Sequence, residues 1–174
     1  MRILIIAFLA IAGTASADQV SLLDDKLKFD STDAFVPDTD PKKLSSQSLA
    51  DFKARDSDGW GTITRGTHGL QPQGLKEYMD RKVAEYTKGL SWLPKLNWLR
   101  KEIVTINGRQ WADMIYIAPR SSAKDARDGV LYTRIFATSY KGQLLEFVFT
   151  TNTDQSAALK DKIDQVIESI KLED

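Results

Sequence analysis

The stretch "LRKEIVTINGRQWADMIYI" occupies residues 99–117. Two apolar, β-rich arms flank Asn107-Gly108. That dipeptide tolerates the positive φ angles of a type I′ turn, whose twist matches that of paired strands. The stretch predicts a β-hairpin, and a hairpin is by construction antiparallel. Strands joined by tight turns make an antiparallel sheet, so this reading sets the fold class.

Working outward, "VLYTRIFATS" (130–139) and "LLEFVFTT" (144–151) form a second pair of β-rich arms around Lys141-Gly142. The intervening "APRSSAKDARDG" (118–129) reads as a polar loop. After residue 152 the period changes. Leu159, Ile163, Val166, Ile167 and Ile170 share one helical face, with Thr153 or Asp154 as the N-cap.

Upstream, "QPQGLKEYMDRKVAEYTKGL" (71–90) is also helical. Leu75, Tyr78, Met79, Val83, Tyr86 and Leu90 line one face, Pro72 suits the first turn, and Gly89 and Pro94 bracket the end. "SLADFKAR" (48–55) alternates as a half-buried strand, with Ala50, Phe52 and Ala54 on one side. "WGTITR" (60–65) is the returning strand. "VPDTDPKKLSSQS" (36–48) reads as a loop, and "VSLLDDKLKF" (20–29) as a tight hairpin. The order is two hairpins, a helix, four strands and a helix, with no internal repeat. The class is α+β: an antiparallel sheet flanked by two amphipathic helices that bury their stripes against it.

The 174 residues suit one domain, and 42% hydrophobic with 28% charged residues is the composition of a soluble globular protein. A formal net charge of zero gives no long-range field for nucleic acid or anionic lipid. "MRILIIAFLAIAGTASADQ" at the start has one cation, an apolar run from 3 to 12 and Ala15-Ser16-Ala17. It predicts a signal peptide over 1–17, cleaved after Ala17, leaving a single domain over 18–174 with no membrane anchor. With zero cysteines, no disulfide, thiol nucleophile, lipid attachment or iron–sulfur cluster is available. The expected address is a bacterial periplasm.

The opening "VSLLDDKLKF" with its "FVPD" loop, the strand pair, the mid-chain helix, "VTINGRQWADMIYI" and the closing "IDQVIESIKL" together resemble the PsbP-like superfamily, including its DcrB-type periplasmic proteins. The resemblance spans about residues 20–172. It implies a PsbP-like α/β/α sandwich that works by binding, as an accessory subunit, an envelope protein, a chaperone or a partner of secreted effectors. It brings no catalytic residues. DcrB-type proteins are often lipoproteins, and this chain lacks the cysteine that tethering needs.

Tests for chemistry begin at "DSDGWGTITRGTHGL" (56–70). Aligned as a calcium loop on Gly59, its first and twelfth positions are Ala54 and Arg65, where ligating carboxylates belong. The glycines are not followed by the lysine and Ser/Thr of a phosphate-binding loop. His68, the single histidine, is expected in an exposed loop between strand and helix, where it could serve as a partner contact or general base. It lacks companions for a zinc site. Asp38 and Asp40 belong to an acidic segment, 18–40, whose seven aspartates face two lysines. They are candidate contacts for a basic partner. Trp92 and Trp98 either plug the core edge or anchor a partner. Trp111 is expected in the core. Asp113 and Glu146, within apolar strands, are expected to point to solvent.

These readings predict a non-catalytic periplasmic protein without cofactor or metal. It acts by contact with another envelope or secreted protein. An immunity-type mask for a toxin or effector is one specific version, and His68, Trp92, Trp98, Asp38 and Asp40 are the candidate contacts. The alternative is a small-ligand binder with a pocket between sheet and helices lined by Trp60, Tyr78, Tyr86 or Trp98. A hydrolase built on His68 and an aspartate is a third class.

Overall fold

The computed structural model describes residues 18–38, 40, 42, 44–55, 59–89, 96–119, 130–152 and 156–173. The signal segment, Trp92, Leu90, the N-cap candidates Thr153 and Asp154, and residues 120–129 of the polar loop lie outside the described residues.

The strands are β1 (Asp18–Leu22), β2 (Leu27–Ser31), β3 (Phe35–Asp38), β4 (Ser48–Ala54), β5 (Trp60–Gly69), β6 (Asn97–Ile106), β7 (Arg109–Pro119), β8 (Val130–Tyr140), β9 (Gln143–Asn152) and β10 (Lys171–Leu172). Helix α1 (Leu75–Gly89) lies between β5 and β6, and α2 (Ser156–Glu168) follows β9. Seven strands form one antiparallel sheet in the order β3-β4-β5-β9-β8-β7-β6. A separate three-stranded sheet, β1-β2-β10, packs its Leu27 and Phe29 into a core shared with the large sheet.

The turns follow the sequence. Asn107 and Gly108 have φ of 51° and 77° between Ile106 and its partner Arg109. Lys141 and Gly142, at 49° and 75°, repeat the geometry between β8 and β9. Both turns have the two positive φ values that a type I′ connection requires.

Two readings are corrected. The loop over 36–48 begins with a real strand, β3, which pairs with β4 from Phe35↔Ala54 to Asp38↔Asp51. Pro37 cost it the strand signal, but a proline is tolerated on a sheet edge, where β3 lies. The returning strand runs on to Gly69 across an irregularity after Arg65. His68 therefore sits in β5 and not in a loop. The two-residue β10, too short to carry a period, ties the C-terminus to β2.

Strand alternation sends the two faces of the large sheet into two cores. On one, Trp111, Ile115, Phe136, Phe147 and Phe149 cluster with Leu159, Ile163, Val166 and Ile167 of α2 and with Leu27 and Phe29 of β2. Trp111 is core, as expected, stacked on Phe136 at 4.6 Å between centroids. On the other, Ala112, Met114, Ile135, Ala137 and Val148 cluster with Leu75, Tyr78 and Met79 of α1. The i, i+3, i+4 spacing of those helical residues makes one stripe. Lys76–Asp80 at 3.2 Å and Arg81–Glu85 at 3.9 Å dress the solvent side.

Candidate partner-binding face

The pairing registers draw one rung across all seven strands of the α1 face. It runs Trp98, Tyr116, Thr133, Thr150, Trp60, Lys53, Val36. Its first four positions are covered. Trp98 packs edge-on against Tyr116 at 5.2 Å and reaches Tyr86 of α1 at 6.2 Å. Thr133 and Thr150 are buried and share a hydrogen bond of 3.0 Å. Beyond β9 the cover stops. Trp60 is 49% exposed, Val36 is 45% exposed, and Lys53 between them is exposed.

The next rung ends in Thr62, Asp51 and Asp38, all half-buried. A cleft of about 770 Å³ opens beside these strands, lined by Val36, Asp38, Leu44, Asp51, Lys53 and Arg55 among others. The backbone under Trp60 is tightly held. A side-chain carbon on Gly61 would lie 2.5 Å from the Phe149 ring, so the glycine makes room for that ring against β5. Trp60 is thus an exposed indole on a rigid strand, the setting in which binding energy concentrates in few residues.

The sequence-derived candidates fall apart in space. Asp38 joins this face. Its Oδ1 accepts the Asp40 N–H at 3.1 Å, and Asp40 Oδ1 accepts the Lys42 N–H at 3.1 Å, so both carboxylates shape the chain after β3. Trp98 is four strand spacings from Trp60, about 19 Å, and is half-buried against aromatic neighbours. The structure brings it to the core edge. The ring of Tyr86 likewise packs on Tyr116 at 5.3 Å, while Tyr78 is buried and Trp60 lies far outside this aromatic group. The four residues of the pocket reading therefore do not converge.

Asp113 and Glu146 are corrected outright: both are buried, at 1% and 8% exposure. Asp113 accepts two hydrogen bonds of 2.9 Å from Arg134 and one of 2.9 Å from Arg100. Arg134 also binds Asp164 of α2, which Lys160 holds at 2.6 Å. The Asp113 carboxylate keeps the Arg100 guanidinium firmly charged. On the opposite face Glu146 accepts from the Tyr78 hydroxyl and pairs with Lys82 at 3.0 Å. Burial first, and Glu146 second, push the Tyr78 phenol far above its ordinary range. A buried charge persists only when paired and hydrogen-bonded, and both networks are. Neither lines one of the described clefts. Among the described residues no three His, Asp or Glu side chains gather as metal ligands.

The sequence suggests Trp60 only as a wall of the alternative pocket, yet a signal for its exposure is present. In "WGTITR" the alternation puts Trp60 with Thr62 and Thr64, on the polar side. An aromatic on the polar side of an amphipathic strand marks an exposed one.

The element order, the sheet and its two helices define an α+β class with a mostly antiparallel sheet, and the fold is PsbP-like. It is similar to the solution structure of the cyanobacterial PsbP of Synechocystis sp. PCC 6803 at 17% identity and TM-score 0.67, over 93% of this chain and 95% of that one. The Ran-binding protein Mog1p of Saccharomyces cerevisiae matches at 9% identity and TM-score 0.62, over 90% and 95% of the two chains. PA94 of Pseudomonas aeruginosa, a putative regulator, matches at 14% identity and 0.51, over 88% and 95%. No family model and no curated protein matches the sequence.

Proposed function

We propose that this chain is an exported, non-catalytic protein-binding domain of the bacterial periplasm. Its open sheet face over β3, β4 and β5 is the contact surface. The fold of such a domain would be a PsbP-like α/β/α sandwich of DcrB type, flanked by its two amphipathic helices. One observation carries the reading: Trp60 and Val36 stand exposed on a rung whose other half is packed under α1. Lys53, Arg55, Asp38 and Asp51 around them supply polar partners for orientation. A structural relative described as Ran-binding is consistent with a scaffold that binds proteins. The partner class is another envelope or secreted protein, an effector masked in the immunity-type version.

The test is co-purification of the tagged chain from its own host. One stoichiometric partner is expected, and Trp60→Ala should weaken its retention by about 30-fold, the value of a modest hot spot. Recovery of the chain alone under every condition counts against the reading. A small molecule retained in native mass spectrometry would favour the ligand-binding alternative instead.

A further inference from the structure

The opposite end of the sheet has a different character. There the turn between β1 and β2 meets the turn between β8 and β9. Leu23, Asp24 and Asp25 have φ of 56°, 53° and 66°, three consecutive left-handed residues with no glycine among them. Such a run persists only where its surroundings hold it, and it gathers at binding sites. Here Leu23 packs on the core, the Lys26 N–H returns to the Leu23 carbonyl at 3.2 Å, and the Ser21 hydroxyl holds Asp25.

The turn leans over a cavity of about 170 Å³ lined by Leu23, Asp24, Lys26, Arg65, Tyr140 and Lys141. Arg65 and Lys141 both rest on the ring of Tyr140, at 6.0 and 5.2 Å from its centre. Arg65 Nε donates to Gln143 Oε1 at 2.5 Å, and among the described residues no acceptor is bonded to its two terminal nitrogens. Neither Arg65 nor Lys141 forms an ion pair with a carboxylate among the described residues. Lys26 does, with Glu173 at 3.3 Å. Among the described residues Asp24 is the one carboxylate lining the cavity.

We propose that this cavity binds a small oxyanion, a carboxylate or phosphate group, held by Arg65 and Lys141. A guanidinium presents a planar fork to two oxygens, and an ammonium adds a mobile point charge. Both cations line the one cavity, so an anion entering it meets two positive charges. The site is independent of the Trp60 face.

The experiment titrates inorganic phosphate, and separately acetate, into the full chain at constant ionic strength made up with chloride. Amide shifts at residues 65 and 140–142 and the melting temperature are followed. Saturable shifts and a higher melting temperature than in chloride are expected, and the stronger of the two anions identifies the source. Lys141→Gln and Arg65→Gln should each weaken binding about tenfold, the loss of one charge-assisted contact. Asp24→Asn should tighten it by removing repulsion, a change of opposite sign that damage to the fold would not produce. Lys141 lies on an exposed turn, so its variant carries the test even if Arg65→Gln fails to fold. Responses to both anions equal to chloride, or unchanged affinity in Lys141→Gln and Asp24→Asn, would overturn the proposal.

Discussion

Thr133 and Trp60 lie two strands apart on one rung of one sheet face, and their fates differ. Thr133 is buried, bonded to Thr150. Trp60, the larger and more apolar residue, stands half in solvent. Side-chain hydrophobicity alone predicts the reverse. Helix α1 decides the matter, because its stripe covers the β6–β9 half and stops. The covered half is built for stability. It contains the Glu146–Tyr78–Lys82 network and the Tyr86–Trp98–Tyr116 aromatic group. The open half displays its side chains on a backbone held from the far side by Phe52 and Phe149.

The comparison can be broken most forcefully in the covered half. Glu146→Ala leaves Lys82 and the Tyr78 hydroxyl without their acceptor, and removing one member of a buried ion pair costs about 3–5 kcal/mol. Urea unfolding should show that loss. A change below about 1 kcal/mol would mean that the network is less buried than described. Gly61→Val comes next. The added carbons meet the Phe149 ring, and overpacking of this kind costs about 1–3 kcal/mol. That result would confirm that the open half is rigid from behind.

Trp60→Ala sharpens the contrast by its mildness. Stability should change by no more than about 0.5 kcal/mol, as for other surface positions, while partner retention falls. A large stability loss would place Trp60 in the core and end its role as a contact.

The last test is with pH. Burial raises the Tyr78 phenol above its ordinary value of 10.0, and the Tyr86 phenol likewise. Below that value both folded and unfolded chains keep the protons. Above it the unfolded chain ionises first, so stability present at lower pH is lost as the pH rises towards the folded-state values. The urea midpoint should fall above about pH 10, and Tyr78→Phe should flatten part of that fall.

Much of the fold was legible. The hairpin at Asn107-Gly108 and the helical stripe from Leu75 to Met79 depend on residues close in sequence, and local chemistry is what a sequence displays directly. The polar centres were not. Alternation on a one-sided sheet sends charges outward, and on that pattern Asp113 and Glu146 point to solvent. This sheet is covered on both faces over β7–β9, so alternation there separates two cores and not core from water. Their partners, Arg134 and Tyr78, are 21 and 68 residues away in sequence, beyond any local pattern. His68 departs from its expected loop for a related reason. Its strand continues past an irregularity because β9 offers Gln143 as a partner to Gly69.

The sequence by itself determined most of the strands, the tight turns and the apolar stripes, since period, turn chemistry and propensity act between neighbours a few residues apart. Tertiary structure alone decided which sheet face each helix covers, where that cover ends at Trp60, and which charges are drawn inside. Those outcomes depend on long-range registry between surfaces, which no single segment encodes.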